Sequence, residues 1–286
     1  MGGTVHQNDC NQDCVRCPFH GWSFRMTDGT CFDVPYEDSP SNAKLKIWQS
    51  LELNNVIFVW HHSDDIQPNW FPNSVDEIQN GKWVYRCKTK HFVNCHIQDI
   101  PENGPDVAHL NEIHADSFAL GSDLSWTRRF KRFAPLFGHV WSAEWNQRSA
   151  PESHISDVKM IHSSKFFGLN LLILNLEVNQ IGPAYVELRY NTPFLGGISG
   201  IFIQQVQPIS PLRNCIIHHI YSENTLIGYL FAKFLMLSEA KLLERDIQIW
   251  NRKAYLSRPH FSKSERCLVK YRRWYSQFYP KNSIEW

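Results

Sequence analysis

The side chains best suited to chemistry crowd into residues 95–114, Cys-His-Ile-Gln-Asp-Ile-Pro-Glu-Asn-Gly-Pro-Asp-Val-Ala-His-Leu-Asn-Glu-Ile-His. Glu102, Asp106, His109 and His114 follow the spacing E-x3-D-x2-H-x4-H. Two neutral imidazoles joined by one carboxylate from elsewhere make a facial triad, which leaves open positions on Fe(II) for dioxygen and substrate. Thiolates at the same place would favour zinc or an iron–sulfur cluster. The plain alternative is the start of a surface helix with scattered acids and histidines. Asp106 and His109 are three apart, so a helix puts them on one face. His109 and His114 are five apart, about 140° around an ideal helix, and a local π-bulge would bring both onto one ion. Pro101, Gly104 and Pro105 predict an irregular lead into that helix.

A second group of donors is Cys17-Pro-Phe-His20-Gly-Trp22, one thiolate and one imidazole on a tight turn. In a Rieske [2Fe–2S] centre two Cys hold one iron and two His the other, so this pair is half a centre. The missing half, C-x-H, does not occur upstream of Cys17, and the chain is expected to lack its N-terminus. His6, Cys10 and Cys14 are local substitutes with the wrong spacing. A zinc site from Cys10, Cys14, Cys17 and His20 is the other use of these donors. A third candidate is Asp246, in Glu244-Arg-Asp246-Ile-Gln-Ile-Trp250, among Leu242, Leu243, Ile247 and Ile249. A carboxylate that dips toward a core needs a partner, and a metal is a strong one. An ion pair with Arg245 or Lys253 is the alternative.

Elements that must position these groups follow from pattern. Residues before Gln67 read as a small all-β module: Asp28-Gly29 as a hairpin turn, then strands within Lys44–Trp60 with Asn54-Asn55 as a turn and Val56–Trp60 as a buried strand. Gln67–Gly81, Pro-rich and polar, reads as a linker. After a strand over Trp83–Phe92, seven more runs at antiparallel-sheet spacing are predicted: Thr127–Phe133, His139–Trp145, Val158–Phe167, Asn170–Val178, Tyr185–Tyr190, Ile198–Gln207 and Asn214–Tyr221. His218 and His219 must face opposite ways. His91, His96, His139, His154, His162 and His260 read as core or surface histidines. Asn224–Leu256 reads as one long helix, and the basic, aromatic Lys270–Tyr279 as a packing and subunit-contact segment.

Composition narrows the class. With 286 residues and 43% hydrophobic content, the chain can bury a sizeable core. A formal charge of +1 implies no polyanionic partner, so nucleic acid is not expected. The 11 Trp, 10 Tyr and 18 Phe suit a protein that lines a cavity as well as a core. Residues 1–15 have no apolar leader, so the eight cysteines are expected as thiols in a reducing, intracellular compartment, at least one of them a ligand. No run of about 18 apolar residues occurs; the longest, Leu226–Leu237, is interrupted by Gly228 and Lys233.

With these three motifs in this order, the chain resembles the Rieske non-haem iron oxygenases, and among them the animal (Neverland-type) cholesterol 7-desaturases. His96-Ile-Gln-Asp-Ile-Pro-Glu-Asn-Gly-Pro-Asp-Val-Ala-His109-Leu-Asn, Trp250-Asn-Arg-Lys-Ala-Tyr255-Leu and Tyr271-Arg-Arg-Trp-Tyr-Ser-Gln-Phe-Tyr279 carry the likeness across nearly the whole chain. The resemblance implies an α+β fold: a partial all-β Rieske module over 1–66 that lacks its C-x-H half, a linker over 67–81, and a helix-grip catalytic domain over 82–286. In that domain a curved antiparallel sheet and a long helix would enclose a sterol-sized pocket. It implies His109, His114 and Asp246 as ligands of a mononuclear Fe(II), and Cys17 and His20 as the [2Fe–2S] ligands present here. Asp106 would be the carboxylate bridging an electron from a neighbouring subunit's cluster, with Glu102 behind the iron ligands. The implied reaction is desaturation of cholesterol at C7–C8 to 7-dehydrocholesterol, in steroid hormone synthesis of the ecdysteroid or dafachronic acid kind. It would consume O2 and NAD(P)H electrons passed through a separate reductase or ferredoxin-type partner, since no G-x-G-x-x-G occurs. A homo-oligomer, usually a trimer, and membrane attachment through an anchor upstream of this chain are also implied. Bacterial ketosteroid hydroxylases share the layout. Sterol or ketosteroid hydroxylation, and sterol binding without catalysis, are therefore the competing readings.

Overall fold

The computed structural model describes residues 13–130, 137–256, 259–262 and 265–280. The chain forms two compact units, Met1–Asn69 and Trp70–Trp286. In the first, β1 (Cys14–Arg16), β2 (Ser23–Arg25) and β3 (Cys31–Asp33) make a small antiparallel sheet in that order. Phe24, Cys31 and Val34 are its core. The Asp28-Gly29 turn joins β2 to β3, with Gly29 at φ 75°. A separate hairpin pairs β4 (Ser50–Leu53) with β5 (Val56–Val59). Its turn residues Asn54 and Asn55 both have positive φ, the requirement of a tight I′ turn. The expected buried strand over Val56–Trp60 is instead half of this two-stranded ribbon. Only Val56 is buried, and Ile57 is 75% exposed, because two strands alone have no second layer to cover them.

The second unit is built on a seven-stranded antiparallel sheet in the order β6-β12-β11-β10-β9-β8-β7. Its strands are β6 (Trp83–Val93), β7 (Phe137–Gln147), β8 (Ile155–Phe166), β9 (Leu169–Ile181), β10 (Tyr185–Thr192), β11 (Ile198–Ser210) and β12 (Arg213–Glu223). The last five sequence runs named above correspond to β8 through β12, and His139–Trp145 to β7. Thr127–Phe133 does not form a strand. Its first part belongs to a helix, Leu124–Phe130, and residues 131–133 lie outside the described residues. Asp123 explains the difference: its Oδ1 accepts from the backbone N–H of Ser125 at 2.8 Å and of Trp126 at 3.3 Å, a helix cap that outweighs the β-prone Trp and Thr.

Helices in chain order are α1 (Asp76–Gln79), α2 (Val107–Ile113), α3 (Leu124–Phe130), α4 (Leu226–Trp250) and α5 (Arg266–Tyr275). Thr225 caps α4 by accepting from the Gly228 N–H at 3.0 Å. Phe231, Ala232, Leu235 and Met236 of α4 pack on one face of the sheet against Leu174, Leu176, Tyr190, Phe202 and Ile220. Further along α4, Leu243 and Trp250 join Val93, Val206 and Ile216. Tyr271, Trp274 and Tyr275 of α5 pack with Trp145, Val158, Val178 and Val186, so the aromatic tail is part of the fold's core. The stretch expected as a linker is packed from Trp70 onward. Trp70 stacks on His154 at 5.0 Å, Val75 is fully buried, and Glu77 pairs with Arg189 at 3.0 Å. No helix among the described residues is long and apolar enough to cross a membrane.

Candidate metal centre

Two 3-10 turns, Ile97–Asp99 and Pro101–Asn103, lead into α2, as the Pro and Gly spacing predicts. Asp106 caps α2, its carboxylate accepting from the His109 N–H at 3.2 Å. The His109 ring turns back on the same residue: Nδ1 donates to the Asp106 carbonyl oxygen and lies 3.7 Å from its carboxylate. Pinning Nδ1 fixes the tautomer and leaves Nε2 with a lone pair facing away, the state in which imidazole binds a metal. Burial alone would push the His109 pKa down, but the Asp106 hydrogen bond and the charges of Asp246 and Asp106 outweigh it, and the net shift is upward. At Asp106 burial raises the carboxyl, yet its bonds and charge interaction with His109 prevail and lower it.

The π-bulge expected between His109 and His114 is absent. Helix α2 is a regular α-helix that stops at Ile113. His114 is its C-cap, at φ −105° and ψ 9°, and leaving the helical path there closes the angle that five residues of ideal helix would impose. Strand β7 holds this end in place. Asn111 exchanges two 3.0 Å hydrogen bonds with the Trp141 backbone, Trp141 Nε1 donates to the His114 carbonyl at 3.4 Å, and the His139 N–H donates to the Ala115 carbonyl at 2.8 Å.

The carboxylate comes from α4. Asp246 is 8% exposed and His114 3%. His114 Nε2 lies 3.0 Å from Asp246 Oδ1, and the rings of His109 and His114 are 5.4 Å apart at 81°. One ligand atom from each of His109, His114 and Asp246 lies within 4.8 Å of the other two. His114 Nδ1 is buried with no hydrogen-bond partner among the described residues. Asn103 Nδ2 donates to the other Asp246 oxygen at 3.1 Å, which aims the carboxylate. Neither alternative partner takes Asp246. Lys253 pairs with Asp99, which also accepts from the Tyr255 hydroxyl. Arg245, fully buried, donates instead to the carbonyls of Ile113, Asp116, Ser117 and Gly121. That guanidinium binds α4 to the chain just after α2, and so sets the depth at which Asp246 meets the histidines. Two imidazoles and a carboxylate converging from two elements, buried and braced on one side, fit a mononuclear Fe(II) with open positions.

Glu102 does not touch this group. It accepts from Arg272 of α5 at 2.6 and 2.8 Å and from Gln98 at 3.2 Å, tying the 3-10 turn that carries Asn103 to α5. Behind His114, His139 Nδ1 and His162 Nε2 are 2.7 Å apart, with Trp141 stacked on His162 at 4.1 Å. Burial pushes His139 down to about 4 and His162 to about 3, so both rings stay neutral. Sequence reasoning passed over Asn103 and Asn111, and offered Arg245 only as an ion-pair partner for Asp246. Of these only Arg245 left a signal, a charge of fixed sign among apolar helix positions.

In the first unit, Cys17 and His20 sit on the β1–β2 turn, where the Cys17 N–H donates to the Trp22 carbonyl at 2.8 Å and the Gly21 N–H to the Cys17 carbonyl at 2.9 Å. Cys17 is a half-buried free thiol and His20 is exposed. Cys14 is disulfide-bonded, a departure from the all-thiol expectation, and cannot give zinc a thiolate. His6 and Cys10 lie outside the described residues. Cys31 is buried in the small core with Sγ 3.7 Å from the Asp33 carbonyl. The described residues thus provide half of the two-Cys, two-His set, and do not by themselves fit a complete [2Fe–2S] centre.

Known proteins share these features. The domain family described as "3-Ketosteroid 9alpha-hydroxylase C-terminal domain" matches residues 59–279, and "Rieske [2Fe-2S] domain" matches residues 1–52. The cholesterol 7-desaturase of Xenopus laevis is 41% identical over 95% of this chain and 59% of its own length. Cholesterol 7-desaturase 1 of Ciona intestinalis is 40% identical over 99% of this chain and 58% of its own. The chain therefore spans about three-fifths of the length of these curated relatives. The crystal structure of dicamba monooxygenase bound to dicamba aligns at a TM-score of 0.65, with 13% identity, over 94% of this chain and 80% of that one, and shares the fold. With a catalytic-domain match over most of its length and a Rieske match ahead of it, the chain belongs to the Rieske non-haem iron oxygenases, a family of oxidoreductases that use a [2Fe–2S] cluster and a mononuclear iron.

Proposed function

We propose that this chain is the catalytic part of an oxygenase that desaturates cholesterol at C7–C8. Residues 1–66 would be a partial Rieske domain, 67–81 the connection, and 82–286 the catalytic domain. The observation that carries the reading is the convergence of His109, His114 and Asp246, supported by relatives named for that reaction. These three side chains would hold the iron. When bound, Fe(II) would supply open positions for O2 and, with electrons from the redox partner, the oxidising power to remove the hydrogens at C7 and C8. The protein's contribution is the rest. His109 is held in the metal-binding tautomer by Asp106, and Asp246 is aimed by Asn103. Leu174, Leu176, Tyr190, Phe202, Ile220 and Phe231 pack between the sheet and α4, the helix that carries Asp246, an apolar interior that would keep water from the reacting carbon of a sterol.

Asp106 is the side chain assigned to the electron's approach: its carboxylate is 29% exposed on one side and touches His109 on the other. Glu102 acts further back, on Asn103 through the backbone. Cys17 and His20 would be cluster ligands in an assembly that supplies the other two. O2, a reductase or ferredoxin-type partner drawing on NAD(P)H, and a homo-oligomer of the trimeric kind complete the proposal, with any membrane anchor outside this chain.

The deciding experiment loads the assembly that completes the cluster with Fe(II), and supplies cholesterol, O2 and a redox partner. A conjugated-diene absorbance in the product supports desaturation. The matched family's name favours a second reading, hydroxylation, which an added oxygen in the product's mass would establish. A chain that binds sterol but no iron would be a carrier, and would end both.

A further inference from the structure

Antiparallel pairing brings three connections to one end of the seven-stranded sheet: the β8–β9 turn, the β10–β11 turn and the start of α4 just after β12. Strands β7, β8 and β9 extend beyond β10 here, with β7 paired to β8 as far as Phe166. The β9–β10 register stops at Asn175↔Asn191, so Leu169–Leu174 pair with β8 alone. The tip of the β8–β9 hairpin is apolar, with Phe167 65% and Leu169 75% exposed. Phe167 also sits at φ 48°, where Asn or Gly is the ordinary occupant and a bulky residue is strained. At the same end Phe194 is 46%, Leu226 73%, Ile227 49% and Leu230 59% exposed. Scattered surface leucines need no explanation, but apolar side chains gathered on three connections at one end of a sheet do.

Charge identifies the occupant. Across residues 163–171, 192–198 and 224–237 the only charged side chains are Lys165 and Lys233. At the same end the lead into β6 adds the exposed Lys82, and the half-buried Glu223 carboxylate is taken by the Ser199 hydroxyl at 2.6 Å, so a second copy docked on this rim would set mainly lysine against lysine. An anionic lipid surface accepts both features, apolar tips among the acyl chains and ammonium groups among the headgroups. The geometry points to this end of the second unit as a membrane-docking rim, with the β8–β9 tip and the first turns of α4 entering the interface. One consequence rests on the sterol reading proposed above. The rim leads along α4 from Leu226 and Leu230 to the packed Phe231, Leu235 and Met236, and past the Glu239–His218 ion pair to Asp246, so a bilayer-dissolved substrate would arrive at the N-terminal end of the helix that carries the iron-binding carboxylate.

Docking itself does not depend on that reading and is measured without turnover. The full chain is floated with phosphatidylcholine vesicles, with and without phosphatidylserine. Wild type is expected to float with both, and more strongly with phosphatidylserine at low salt. Phe167→Ser with Leu169→Ser, and separately Leu226→Ser with Leu230→Ser, should each lower the bound fraction about tenfold or more. Lys165→Glu with Lys233→Glu should remove only the phosphatidylserine increment and its salt sensitivity. Leu212→Ser, an exposed site on the β11–β12 turn at the opposite end, should change nothing. Unchanged circular dichroism shows that the variants fold, and iron content, read separately, reports on the catalytic proposal. Serine variants that float like wild type, or a wild type that floats with neither vesicle, overturn the inference. So does a rim whose serine variants dissociate an oligomer on size exclusion while vesicle binding persists.

Discussion

Two parts of this molecule carry donors for iron, and they are built differently. At the α2–α4 centre each donor is buried or half-buried and braced by a neighbour: Asp106 on His109, the Trp141 indole on the His114 carbonyl, Asn103 on Asp246. On the β1–β2 turn, Cys17 and His20 are placed by the backbone bonds of the turn; the His20 ring meets Phe19 at 4.1 Å and Tyr36 at 6.5 Å and is otherwise exposed. The first arrangement is completed by hydrogen bonds and packing between elements far apart in the chain. The second is a local turn that presents two donors and waits for others. The contrast is testable, because substitutions in one region should propagate through many partners and in the other through almost none.

The largest effect belongs to the ligands. Asp246→Ala should abolish stoichiometric iron binding, measured by metal analysis after Fe(II) loading, whereas Asp106→Ala should keep iron and stop turnover. Full iron in the Asp246 variant would remove the third ligand from the proposal. Next comes Arg245→Met. It removes the donor to four carbonyls in a fully buried site, and should cost about 3–5 kcal/mol in urea unfolding and weaken iron retention as well. A change under about 1 kcal/mol would mean those carbonyls find water, and the bracing argument would fail.

A smaller effect comes from the buried imidazole pair. His139 and His162 titrate near 6.5 when unfolded and at about 4 and about 3 in the fold. Below pH 6.5 the unfolded chain therefore takes up protons that the folded one refuses. Stability is full above that value and should fall on acidification by up to about 1.4 kcal/mol per pH unit per group, a loss that ends only below the folded values. His162→Gln should flatten the slope between pH 6.5 and 5, read from unfolding midpoints at each pH. An unchanged slope would place the sensitivity elsewhere.

The legibility of these two regions in sequence differs for a physical reason. Alternation and turn residues mark strands directly, and the segments that became β8 to β12 could be named from them. Thr127 was misread because a single Asp123 cap decided between helix and strand. The pattern brings His114 near His109 through a bulge, and the structure brings them together where the helix ends; a helix that ends is simpler than one that bulges, but where α2 ends is set by β7, thirty residues on. Asp246 could be singled out because an acid among leucines and isoleucines is conspicuous. Asn103 and Asn111 could not, since an asparagine looks the same whether it aims a carboxylate or faces water. The Cys17–His20 turn was legible almost in full, because nearly everything that shapes it lies within six residues.

That locality sets the smallest prediction. Cys17→Ser and His20→Ala should each move stability by less than about 0.5 kcal/mol, the range of surface changes that break no cap or buried bond. The bonds that define the turn run between backbone atoms of Cys17, Gly21 and Trp22, and neither substitution touches them. Gly21→Ala is the internal contrast. Gly21 has φ 77°, and an added Cβ would lie 2.9 Å from Pro35 Cγ and 3.1 Å from the Arg16 guanidinium, so this one methyl should cost about 1 kcal/mol or more where two donor deletions cost little. Iron held by His109, His114 and Asp246 should be unaltered in all three variants. Iron loss in Cys17→Ser would show that the turn contributes to the site the α2–α4 centre is argued to complete alone.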